Sequence, residues 1–177
     1  VIFTSDNGCS PQANFDELEE FGHDPSYVFR GHKADIYEGG HRIPFIASWP
    51  AVVKANTTSD QTICLTDLLA TAADIVKATV PNTAAEDSVS ILSALTGEAT
   101  EPIRQATVHH SIRGSFSIRQ GKWKLVLCPG SGGWSDPRPG KEAKDAPPMQ
   151  LFDLTKDISE QKNLYDEHPE VVQKLTV

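Results

Sequence analysis

The sequence predicts a mixed α/β chain that, taken alone, reads as α+β and ends in a small antiparallel sheet with a C-terminal helix. Three observations predict this. Val1-Ile2-Phe3-Thr4 is an apolar run of strand length, cut off by the turn-forming Ser5-Asp6-Asn7-Gly8. Thr66 to Thr79 places Leu68, Leu69, Ala72, Ala73, Ile75 and Val76 at helical spacing. Strand-like runs then crowd residues 107–127, with Gly121 where a hairpin turn is needed.

Taken in order, Val1–Thr4 is expected to be a short, fully buried strand. Residues 10–30 read as a polar loop with a few aromatics. Ile43–Trp49 is a second strand, with Pro44 near its start and Pro50 closing it. Thr66 or Asp67 caps the helix that follows, and Pro81 stands past its end. Ser88–Leu95 is a further short helix. Thr107–His110, Ser115–Arg119 and Trp123–Leu127 are expected strands. Pro129–Pro148 is rich in Gly, Pro, Asp and Lys and reads as a long surface loop. Leu151–Leu154 is a last strand, and Pro169 starts a terminal helix over His168–Leu175. Trp49 and Trp123 fall in strand patterns and are read as core. The expected division is an incomplete α/β part over residues 1–105 and a small antiparallel-sheet subdomain over 106–177.

Composition narrows the partners. With 38% apolar and 23% charged residues the chain belongs among globular proteins rather than disordered ones. No apolar run approaches the roughly 20 residues that span a bilayer. A formal net charge of -8 repels nucleic acid on average, while leaving room for a local basic pocket. Cys9, Cys64 and Cys128 permit at most one internal disulfide and show no zinc-ligand spacing, so the redox compartment stays open. The chain opens directly in a strand, without an initiator Met or a leader pattern. We read that opening as a start inside a larger fold.

Two stretches concentrate chemistry. Thr4-Ser5-Asp6-Asn7-Gly8 delivers an acid and an amide to the carboxyl end of a strand, where α/β folds bind ligands. Their oxygens are hard ligands suited to calcium or magnesium, although the same residues also serve simply as a turn. Gly31-His32-Lys33-Ala34-Asp35-Ile36-Tyr37-Glu38-Gly39-Gly40-His41-Arg42-Ile43-Pro44 mixes glycines with both signs of charge. Lys33 offers three donors to an anion, and Glu38 can pair with Arg42 to brace the loop. His32 and His41 flank the lysine and are read as peripheral to the chemistry. His109-His110-Ser111-Ile112-Arg113 is a third candidate: an imidazole and a guanidinium able to bind sugar hydroxyls or a carboxylate, or simply a polar strand end.

Together the first two stretches resemble the type I sulfatases of the alkaline phosphatase superfamily. Further matches run along the chain: Leu65-Thr66-Asp67-Leu68-Leu69-Ala70-Thr71, Arg119-Gln120-Gly121-Lys122-Trp123-Lys124-Leu125, and Leu151-Phe152-Asp153-Leu154 with Asp157, Glu160, Asn163 and Leu164. Ala70 and Ile158 stand where proline is usual. The resemblance implies the end of the large sulfatase sheet, followed by the small sheet and closing helix. It implies that Asp6 and Asn7 ligate calcium and that Lys33 contacts the sulfate, with His110 and Arg113 as further substrate-binding candidates. Glu38, Gly39, Gly40, Arg42 and Pro44 fall in the same stretch in what looks like a structural role.

One departure bears on activity. The family's Cys-x-Pro-x-Arg or Ser-x-Pro-x-Arg element, whose first residue becomes formylglycine, is absent; Cys9-Ser10-Pro11-Gln12-Ala13 is a superficial likeness that has Ala13 where the arginine is required. The resemblance therefore implies a missing N-terminal portion that carries formylglycine and the remaining calcium ligands. Asp6 and Asn7 alone would supply a minority of the about six to eight oxygens calcium takes, so the chain by itself is expected to be inactive. The implied substrate is a sulfate ester of a carbohydrate or an aryl group, and the implied location periplasmic or secreted. Two other readings remain open: a non-catalytic module that binds sulfated glycans or pairs with another chain, and a related phosphohydrolase.

Overall fold

A computed structural model describes residues 1–176; Val177, the last residue of the second expected domain, lies outside the described residues. The chain forms two compact units. One joins Val1–Thr4 to Phe45–Thr107, and the other joins Ser5–Pro44 to the chain from Val108 onward.

In the first unit, β1 (Ile2–Thr4) pairs antiparallel with β2 (Phe45–Ala47), in the register Ile2 to Ala47 and Thr4 to Phe45. The opening strand forms, but it is not buried: Val1 is 95% and Phe3 64% exposed. A two-stranded ribbon of three-residue strands has too little surface to cover both of its own faces. The helix predicted at 66–79 spans Asp67–Ile75 (its label, α3, follows α1 and α2 of the second unit below). It stops short because Lys77 takes a left-handed conformation and Ala78 donates back to the Ala73 carbonyl at 2.8 Å, a typical helix end. Thr66 makes no capping bond. The buried Asp67 carboxylate instead accepts from the Cys64 amide at 2.7 Å and the Val89 amide at 2.9 Å, and pairs with Arg104. A further short helix, α4, covers Leu92–Thr96.

The second unit opens with a 3-10 turn at Pro11–Ala13 and a short helix, α1 (Phe15–Glu20), where a plain loop was expected. Next comes α2 (Glu38–His41), then a four-stranded sheet in the order β3 (Thr107–His110), β4 (Phe116–Gln120), β5 (Trp123–Val126) and β6 (Gln150–Asp153). Strands β4 and β5 form the predicted hairpin: Gln120 faces Trp123 across a two-residue turn, and Gly121 has φ 56°. The sheet is covered on both faces. Leu125 and Leu151 pack under the closing helix α5 (Pro169–Thr176) through Leu175, Val171 and Val172. Val126 and Phe152 pack on the opposite side against Ile36 and Tyr37. Lys124 is fully buried between those apolar neighbours.

The stretch expected as a surface loop, Pro129–Pro148, carries no helix or strand and is mostly exposed beyond residue 135, but its first part departs from that expectation. Residues 130–133 are buried, and the Ile36 amide donates to the Ser131 carbonyl at 2.8 Å. Its Gly, Ser and Trp residues follow an anchor that lies 100 residues earlier in the chain, Asp35. Among the described residues no helix is long and apolar enough to cross a membrane.

Candidate active site

The turn after β1 is shaped by its own polar side chains. Ser5 Oγ donates to the Asn7 carbonyl at 3.1 Å, and Asn7 Nδ2 donates to the Gly8 carbonyl at 3.1 Å. The turn is then stitched to the glycine-rich stretch. The Gly8 amide donates to the Gly40 carbonyl at 3.0 Å, and the Lys33 amide donates to the Cys9 carbonyl at 2.9 Å. Gly8 is required at this join, because any Cβ there would overlap the Gly39 carbonyl. The two motifs singled out in the sequence therefore form one backbone assembly.

Asp6 and Asn7 line a cleft of about 680 Å³ with Ser26, Tyr27, Phe29 and Arg42. Their hard oxygens suit a divalent cation, but as contributors to a shell rather than a complete one. Among the described residues no group of three or more His, Cys, Asp or Glu side chains converges on a point that could hold a metal. Lys33 does not line this cleft; it is half-buried and tied in through its backbone. Arg113 lies in a second cleft of about 410 Å³ that also contains His32 and Trp134. His110 is not part of either cleft. Its Nδ1 lies 2.8 Å from the Ser111 carbonyl and its ring 5.8 Å from Phe116.

Behind the first cleft sits a buried ion cluster. Glu38 Oε2 accepts from Arg42 Nε at 2.8 Å, and Glu38 Oε1 from Lys124 Nζ at 3.0 Å. Lys124 Nζ also lies 2.8 Å from Glu160 Oε1, while Glu160 Oε2 accepts the Glu38 amide at 2.6 Å. Burial raises the Glu38 carboxyl, yet Lys124 and then Arg42 outweigh it and bring it down to about 2. For Glu160 burial prevails and its carboxyl is raised. The Glu38–Arg42 brace expected from the sequence is thus one edge of a larger network. Lys124 and Glu160 were legible only as parts of sequence motifs.

Glycine makes α2 possible. A Cβ on Gly40 would collide with the Asp35 carbonyl, and one on Gly39 with the carbonyls of Gly31 and Arg30. Two glycines are poor helix formers, so this helical turn exists because the surrounding backbone packs against it. Asp35 organises the other side. Its carboxylate accepts from the His32 amide at 2.9 Å, the Trp134 amide at 2.7 Å, the Ser135 amide at 3.0 Å and the Ser135 hydroxyl at 2.6 Å.

His41 and His109 stack with ring centroids 4.2 Å apart, and both Nε2 atoms are buried without a hydrogen-bond partner. Burial, then Lys124, lowers His41 to about 4 against the opposing pull of Glu38 and the Asp35 backbone; His110 adds to the lowering. Burial, then His41 and Lys124, lowers His109 to about 3, with Glu38 opposing and Arg119 adding to it. Both imidazoles are neutral in the folded protein near pH 7. As pH falls below 6.5 the unfolded chain takes up protons that the folded chain refuses until about 4 and 3. Stability is therefore expected to decline across that window. His41→Gln with His109→Asn should flatten the decline in a series of thermal melts from pH 7 to 4, and an unchanged slope would show that other groups carry it.

The family model described as Sulfatase matches residues 1–78. The chain is 37% identical to an N-acetylgalactosamine-6-O-sulfatase of Bacteroides thetaiotaomicron, over 99% of this chain and 34% of that protein. It is 32% identical to human arylsulfatase A, over 99% of this chain and 36% of that protein. The chain thus spans about a third of the length of these curated relatives. Among solved structures, one from work on the metabolism of multiple glycosaminoglycans by Bacteroides thetaiotaomicron superposes with a TM-score of 0.81 at 34% identity, covering 99% of this chain and 37% of that one. A sulfatase from Pseudoalteromonas sp. shares the fold, with a TM-score of 0.72 at 24% identity over 99% of this chain and 34% of its own.

Proposed function

The chain belongs to the sulfatase family, and on that premise we propose that the whole protein hydrolyses sulfate esters of a carbohydrate, with 6-O-sulfated N-acetylgalactosamine as the first substrate to test. The observation that carries this reading is the joining of the Asp6-Asn7 turn to the Lys33 segment through Gly8–Gly40 and Lys33–Cys9 backbone hydrogen bonds. The 37% identity to an N-acetylgalactosamine-6-O-sulfatase supports the substrate class.

In this reading Asp6 and Asn7 would hold one side of a calcium ion, which would supply stabilisation of the charge on the sulfate oxygens. A preceding portion of the protein supplies the formylglycine nucleophile and the remaining ligands. Lys33 reaches a sulfate oxygen with an ammonium whose donors rotate on a flexible stem. Its backbone bond to Cys9 sets where that stem begins. Of the two expected substrate contacts, Arg113 lines the second cleft and contacts the glycan beyond the sulfate, whereas His110 lines neither cleft. The protein acts outside the cytoplasm, in the periplasm or secreted, where sulfated glycans are met. The domain boundary near residues 105–106 belongs to the same proposal.

The test is sulfate release from 6-O-sulfated N-acetylgalactosamine by the whole gene product. Lys33→Ala is expected to lower kcat/KM about 100-fold, the scale of a lost charge-stabilising donor, without changing the melting temperature. Undiminished turnover would remove Lys33 from the site. Wild-type protein that releases no sulfate from sulfated sugars would overturn the proposed activity.

A further inference from the structure

The second cleft has a composition at odds with the acidic chain around it. His32, Arg113, Arg138 and Lys141 line it together with Trp134, and no carboxylate does. The whole chain carries a formal charge of -8, so four basic side chains around one cavity are a local reversal. Its volume of about 410 Å³ fits one sugar ring. Trp134 lines the cleft together with two arginines, whose planar guanidinium forks suit carboxylate or sulfate oxygens.

The cleft is built rather than incidental. The buried Asp35 carboxylate accepts from the backbone amides of both His32 and Trp134, so one side chain sets two of its walls. Gly133 lets this happen, because a Cβ there would strike the Ala34 carbonyl and Asp35 Oδ1. Asp136 lies 3.6 Å from Arg138, but both side chains are exposed, so the pair is weak and leaves the guanidinium available. The Glu142 carboxylate is engaged with the Gly140 amide at 2.7 Å. His32, which lines the cleft, directly precedes Lys33 in the chain.

We propose that this cleft is a second anion subsite, which takes the carboxylate or sulfate of the sugar adjoining the one whose sulfate ester is cleaved. The inference rests on the proposed sulfatase reading. It narrows the substrate to a glycan with acidic groups on neighbouring sugars.

The test uses calorimetric titration of the whole gene product with two disaccharides. One carries a uronic acid linked to 6-O-sulfated N-acetylgalactosamine; the other is the same molecule with its carboxyl reduced to an alcohol. The acid form should bind about tenfold more tightly, the scale of one charge-assisted contact. Arg138→Ser with Lys141→Ser should abolish that preference; both residues are exposed, and an unchanged melting curve confirms that the fold is retained. Absence of the preference in the wild type, or its survival in the double variant, overturns the subsite. If both disaccharides bind alike, the subsite fails while the sulfatase reading stands. If neither binds, the proposed substrate fails and free glucuronate decides the cleft. Quenching of Trp134 emission that the double variant loses supports it, and no quenching rejects it.

Discussion

Replacing Lys124 with alanine is expected to destabilise the protein by about 3–5 kcal/mol, the cost of breaking a buried ion pair from one side. The ammonium is fully buried and lies within 3.0 Å of Glu38 and 2.8 Å of Glu160. Its removal leaves two carboxylates facing each other with Arg42 as the close remaining cation, since Arg119 is 4.0 Å from Glu38. Protonation should relieve Glu160, whose carboxyl is already raised by burial, before Glu38, which is held near 2. Glu38 contributes stability that is complete above 4.5 and lost as pH falls toward 2. Lys124→Met with Glu160→Gln should recover much of the loss, because removing both charges avoids an orphaned one. Urea unfolding of both variants measures this. A loss below about 1 kcal/mol in Lys124→Ala would mean that water reaches the cluster and screens it.

Gly39→Ala is expected to prevent the cleft from forming. The added methyl would sit 2.6 Å from the Arg30 carbonyl oxygen and closer still to that of Gly31. These are backbone atoms and cannot rotate aside. The Gly39 amide donates to the same Arg30 carbonyl at 2.8 Å, so relief of the clash also breaks this bond. Overpacking commonly costs about 1–3 kcal/mol where side chains can yield; here the backbone must move, and a larger loss follows. Gly22→Asn is the matched control. Gly22 has φ 72° and open space around it, and asparagine tolerates that conformation. Near-wild-type stability for Gly39→Ala would mean that residues 30–31 can shift without cost, and the close packing of α2 would then not be essential.

The same contrast separates what sequence alone could establish from what it could not. Periodicity and turn chemistry are local, so the β4–β5 hairpin, β3, β6, the helix after Thr66 and the Pro169 helix were all legible. So was the sulfatase family itself, because its motifs are short and ordered along the chain. The brace between Glu38 and Arg42 was also readable, being four residues apart. The rest depends on partners far away in the chain. The α2 turn is held by carbonyls of other segments, and no propensity favours it over a loop. Residues 130–133 are buried because Asp35 captures the amides that follow, about 100 residues away. Lys124 is buried because Glu38 and Glu160 meet it from opposite ends of the unit, 86 and 36 residues off. The opening strand teaches the converse: its apolar run specified β-structure but not burial. A side chain's propensity is a property of its neighbours in sequence, whereas its burial is set by which distant segments fold across it.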